Sequence, residues 1–75
     1  MMARKKNSEN RSERIVTAAH QLFGRYGFER TTLDDVAQEA GVSKGAIYLE
    51  FSSKDEILMA VISRFMHEQL QEMHA

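Results

Sequence analysis

The sequence predicts an all-α fold, a three-helix helix-turn-helix bundle followed by a long fourth helix, and three observations predict it. Proline is absent from the 75 residues and the four glycines fall in two pairs, 24/27 and 41/45, so the long stretches outside them contain nothing that breaks a helix. Apolar residues recur at helical spacing rather than in alternation. Two short periodic runs are separated only by Gly41-Val42-Ser43, the pattern of two helices joined by a tight turn. A chain of this length with 43% hydrophobic residues supports one small core. With no cysteine, neither a disulfide nor a thiolate zinc site can supplement it. No apolar run approaches the roughly 18–20 residues of a membrane span, and the N-terminus opens with charge rather than the apolar stretch of a signal peptide. A soluble, cytoplasmic protein with no membrane contact is the expectation.

The first helix is expected over about residues 11–26. Ile15, Ala18, Ala19, Leu22, Phe23 and Tyr26 form one continuous stripe, with Arg11, Arg14, Gln21 and Arg25 off it. Gly27 is the natural left-handed cap, with Phe28 placed to fold back onto the last turn. Gly24 is the weak point, costing about 1 kcal/mol relative to alanine.

The second helix, about 33–40, starts after Thr32, whose hydroxyl caps the free amides while Asp35 reaches back in a capping box. Asp34 and Asp35 also suit the positive end of the helix dipole. Leu33, Val36, Ala37 and Ala40 form its apolar face, after which Gly41 permits a positive φ, Val42 plugs the angle between helices, and Ser43 caps a third helix over about 44–50.

The fourth helix, residues 53–75, opens with Ser53 and Glu56 in another capping box and carries Ile57, Leu58, Val61, Ile62, Phe65, Met66, Leu70 and Met73. From Phe65 onward this stripe exceeds what a three-helix core covers. It is expected to face another domain or subunit, the helix leading toward a C-terminal domain absent from this chain.

The formal net charge of −1 conceals a gradient. Arg4, Lys5, Lys6, Arg11 and Arg14 outnumber Glu9 and Glu13 at the start, whereas Asp55, Glu56, Glu68 and Glu72 outnumber Lys54 and Arg64 at the end. Residues 1–10 lack apolar periodicity and read as a flexible basic arm. Arg4, Lys5 and Lys6 are either ordinary solubilising charge or a phosphate-seeking element.

The stretch from Ile15 to Phe65 resembles the N-terminal DNA-binding domain of the TetR family of transcriptional regulators along its whole length. The resemblance rests on Ala18-Ala19 with Leu22-Phe23, Tyr26-Gly27-Phe28, Thr31-Thr32, Val36-Ala37, Ala40-Gly41-Val42-Ser43, Gly45, Tyr48, Phe51, Ser53-Lys54 and Leu58. It implies sequence-specific binding of double-stranded DNA, with the third helix in the major groove. A larger downstream domain, absent here, would bind a small ligand and make a homodimer that reads a palindromic operator. A ligand-responsive repressor that is not an enzyme and needs no cofactor is the implied function.

Laid in the groove, the third helix presents Ser43 and Lys44 to base edges and phosphates. Gly45 and Ala46 lack bulk and let the backbone approach, Ala46 also offering apolar contact to a thymine methyl. Tyr48 resembles the family tyrosine that touches phosphate and groove wall, Leu49 joins the contact set beside it, and Ile47 and Phe51 point inward. Thr32 and Lys54 are placed to hold the flanking backbone. Thr32 serves as a cap, as a phosphate contact, or as both, and the plain alternative for Lys54 is a solvated lysine. Leu49-Glu50 departs from the family, which commonly shows a histidine, tyrosine or basic residue there. The Glu50 carboxylate, repelled by phosphate, would accept from a cytosine amine, pair with a nearby cation, or face away.

Rival readings are weaker. His20, His67 and His74 are scattered and form no catalytic constellation, and His67, Glu68 and His74 lack metal-site spacing. A helical protein-interaction module using the apolar face of the fourth helix is the alternative, but it leaves the glycine-turn unit unexplained.

Overall fold

A computed structural model describes residues 7–74, with side chains described for residues 11–67. It contains four helices: α1 (Asn7–Tyr26), α2 (Leu33–Ala40), α3 (Lys44–Glu50) and α4 (Lys54–His74). The first helix begins about a turn before the expected residue 11, so residues 7–10 belong to it and not to an arm. The apolar stripe marks only the stretch that packs, and polar residues without Gly or Pro extend a nucleated helix past it. Arg4, Lys5 and Lys6 lie outside the described residues.

Helix α1 is the hub and touches the other three. Its Ile15, Ala18, Ala19 and Leu22 are buried together with Val36, Ala37 and Ala40 of α2, Ile47 of α3, and Ile57 and Val61 of α4. Val16 is buried as well, off the predicted stripe, because α4 packs on α1 beside it and widens the apolar arc. Tyr26, expected in that stripe, is instead exposed, with the Arg25 guanidinium 5.8 Å from its ring centroid. It sits at the helix end, on the rim of an open groove that it shares with Asp35, Gln38 and Glu39 of α2. Phe51 is partly buried against the core, as are Phe23, Leu33 and Val42.

The turns are built by the expected chemistry. Gly27 and Gly41 have φ of 94° and 76°, in the left-handed region that favours glycine. After α2, the Val42 amide donates to the Ala37 carbonyl at 2.9 Å and the Gly41 amide to Gln38 at 3.3 Å, a Schellman closure. After α1, Phe28 meets Phe23 edge-on with centroids 5.2 Å apart. Thr31 is 1% exposed, and its hydroxyl shares its proton between the Gly27 and Leu22 carbonyls at 2.8 and 3.3 Å. It fastens the α1–α2 turn from inside.

Helix α4 buries Ile57 and Val61 but leaves Met59, Ile62, Phe65 and Met66 exposed. Leu70 and Met73 fall outside the residues with described side chains, as do Glu68 and His74. Among the described residues, no helix is long and apolar enough to cross a membrane.

Candidate nucleic-acid interface

The interface is best built outward from Ile47, which is 0% exposed and fixes how α3 lies on the core. At about 100° per residue, Gly45 and Leu49 fall on nearly the opposite side of the helix, with Ala46 and Tyr48 on its two shoulders. Leu49 is 74% and Tyr48 53% exposed. Ser43 caps the helix from extended backbone, its hydroxyl accepting from the Ala46 amide at 3.0 Å. Lys44, next in the chain, is drawn toward Asp34 at the start of α2, 3.6 Å away. Both groups of that pair are exposed, so the attraction is weak and the ammonium can be recruited elsewhere.

Of the three roles open to Glu50, pairing is the one observed. Arg11 donates through Nε and Nη2 to one carboxylate oxygen at 3.1 and 2.9 Å, and the Ser12 hydroxyl donates to the other at 2.7 Å. The Ser12 hydroxyl first, and the Arg11 guanidinium after it, hold this carboxyl below the usual glutamate range. The acid is thereby turned toward α1 and neutralised, and the C-terminal end of α3 is pinned to the first helix.

Thr32 caps α2 in a reciprocal box, its hydroxyl accepting from the Asp35 amide and its own amide donating to the Asp35 carboxylate, both at 3.0 Å. The Thr32 amide and then its hydroxyl hold Asp35 below the ordinary aspartate range. Thr32 itself stays exposed at this end of α2.

Lys54 is not merely solvated. Its ammonium donates to the Phe28 and Thr31 carbonyls at 2.7 and 2.8 Å and lies 4.3 Å from the centroid of the Phe28 ring. Two of its three N–H donors are committed to the α1–α2 turn, leaving one for a phosphate.

Several supports escaped the sequence reading. Arg14 donates through Nε and Nη2 to the Ala40 carbonyl and through Nη2 to Gly41, each at 3.2 Å, closing the C-terminal end of α2 where the turn begins. Arg11 and Ser12 hold Glu50, and Thr31 holds the preceding turn. The sequence marked Arg11 and Arg14 only as basic and off the stripe and Thr31 only as part of the family resemblance, and it gave no sign of these bonds, since the partners lie 26 to 39 residues away for the arginines and Ser12. The predicted contact residues Ser43, Lys44, Gly45, Ala46, Tyr48 and Leu49 are brought together on α3. Thr32 and Lys54 stand at the first turns of α2 and α4.

Two short helices joined by a left-handed glycine turn, the second with a bare outer face, are a helix-turn-helix. The family model for bacterial regulatory proteins of the tetR family matches residues 15–61, which span both of these helices and the turn between them. The chain belongs to the TetR family. It is 39% identical over 69 residues to an uncharacterized HTH-type transcriptional regulator, YfiR, of Bacillus subtilis, covering 92% of this chain and 34% of that one. It is 41% identical over 68 residues to the HTH-type transcriptional regulator SrpR of Pseudomonas putida (88% and 32% covered). It is 39% identical over 64 residues to the HTH-type transcriptional regulator TtgR, also of Pseudomonas putida (85% and 30%). The chain thus spans about a third of the length of these curated relatives. Within the TetR family this segment is the helix-turn-helix domain, and its function is DNA binding in transcription regulation. A free-standing interaction module built on α4 is not favoured beside that match.

Proposed function

We propose that this domain binds double-stranded DNA sequence-specifically with α3 in the major groove, as half of a homodimeric, ligand-responsive repressor acting in the cytoplasm. The observation that carries the reading is the outer surface of α3, where Gly45, Ala46, Tyr48 and Leu49 face away from the core while Glu50 is withdrawn into its pair with Arg11 and Ser12. Tyr48 offers a phenol to phosphate or groove wall, and Ser43 and Lys44 approach from the start of the helix. Thr32 and the remaining donor of Lys54 hold the flanking backbone, and Arg4, Lys5 and Lys6 add phosphate contacts. These contacts orient the domain, and the groove face reads sequence.

The exposed apolar face of α4 supports a connection to further helical structure, through which the small ligand and the second copy act. In a dimer the two recognition helices sit about 34–36 Å apart on a palindromic site.

The test is selection of this chain on a pool of random duplexes at low and moderate salt, beside Tyr48→Ala and Lys44→Ala. A half-site motif is enriched, its affinity falls steeply with salt, and Tyr48→Ala loses it. Absence of enrichment at every salt overturns the reading.

A further inference from the structure

Between Lys44 at its start and the Tyr48 phenol on its shoulder, the outermost positions of α3 are poor in hydrogen-bonding groups. Gly45, Ala46 and Leu49 carry no polar side-chain atom, and the Ser43 hydroxyl oxygen already accepts from the Ala46 amide. The Glu50 carboxylate, the one group here suited to a cytosine amine, is held by three hydrogen bonds from Arg11 and Ser12. Leu49 projects from the point opposite buried Ile47, one turn beyond Gly45, where the absence of a side chain lets the helix lie close. Its isobutyl group is the most exposed apolar side chain of this face.

Base edges in the major groove present one apolar group, the 5-methyl of thymine, which 5-methylcytosine also carries. We propose that Leu49 is a specificity-determining residue that reads the 5-methyl group of a pyrimidine in the half-site. The proposal rests on the DNA-binding reading above and deepens it. An amide or guanidinium at this position would instead address purine edges, so the leucine sets what kind of base the centre of the helix selects.

The experiment uses the duplex enriched from the random pool. Each thymine is replaced in turn by uracil, which removes only the methyl, and binding is followed by fluorescence anisotropy at low salt, where phosphate contacts sustain the complex. At one or two positions uracil weakens the wild-type chain about fourfold, the factor expected for burying one methyl-sized group. Leu49→Ala folds with an unchanged melting curve, because the side chain stands in solvent, and binds the thymine and uracil duplexes alike. Leu49→Met, still long and apolar, retains the discrimination. Placing cytosine and then 5-methylcytosine at the sensitive position separates the two sources of the methyl. Recovery with 5-methylcytosine means that the methyl alone is read, and no recovery means that the thymine ring is required as well. Tight binding indifferent to every thymine-to-uracil change, or a difference that persists in Leu49→Ala, overturns the proposal while leaving DNA binding intact. Failure to enrich any duplex removes the DNA-binding reading and this inference together.

Discussion

Helical backbone surrounds Gly45, and a methyl group there would meet nothing nearer than the Ser43 hydroxyl, 3.9 Å away. Neither a turn nor a packed neighbour requires glycine at this position, while an alanine in a helix is favoured over glycine by about 0.5–1 kcal/mol. Gly45→Ala is therefore expected to raise the melting temperature and, by holding the helix off the groove floor, to weaken DNA binding. Gly24→Ala, on the exposed side of α1 with open space around it, gives the same stabilisation with unchanged affinity. Thermal melts paired with anisotropy titrations separate the two, and equal affinity loss in both variants would sink the close-approach role of Gly45. This contrast was partly legible in the sequence, which marks Gly45 as small and central. The fate of Glu50 was not, because a carboxylate on α3 carries no mark of a partner 39 residues earlier in the chain.

Helix caps were the most legible elements, since a cap is a local bond between residues three apart. Thr32 with Asp35, Ser43 with the Ala46 amide, and Ser53 with the Glu56 amide all form as the spacing predicts. The Glu56 carboxylate reaches one residue further back than expected, to the Ser52 amide. Ser43→Ala is expected to lower stability by about 1 kcal/mol in urea titrations, the usual weight of an N-cap. Two of the interhelical and capping carboxylates also make the fold sensitive to acid. Glu50 and Asp35 both titrate below their ordinary values of 4.5 and 3.8. Their stabilisation is complete above those values and is lost as pH falls through the lower folded-state values. Urea midpoints should hold steady from neutrality to about pH 5 and then decline. The double variant Glu50→Gln, Asp35→Asn should flatten that decline, and an unchanged slope in it would show that other groups govern the acid limb. Helix ends were less legible where no cap marks them. The start of α1 at Asn7 and the exposure of Tyr26 were both missed, because periodicity reports which residues pack and is silent where a helix runs past its neighbours.

Across the whole molecule, charge and connectivity set behaviour that no one helix does. Removing residues 1–6 takes away Arg4, Lys5 and Lys6, and if all three meet phosphate the slope of log affinity against log salt becomes shallower by about 3. An unchanged slope would assign them to solubility alone. Lys54→Met removes two charge-assisted hydrogen bonds across the molecule and is expected to cost about 2 kcal/mol of stability. Comparison of its salt slope with wild type then reports whether the third ammonium donor meets DNA, a phosphate contact appearing as a loss of about 1 in slope. The same lysine bears on how this domain can be moved between proteins. Lys54 is the first residue of α4, yet its ammonium closes the turn between α1 and α2, and Ile57 and Val61 one and two turns later complete the core. A graft that ends with α3 would carry over the contact residues proposed on that helix but leave the Phe28 and Thr31 carbonyls without this donor and α1 without its apolar lid. The smallest portable unit therefore extends through Val61, well beyond the end of α3.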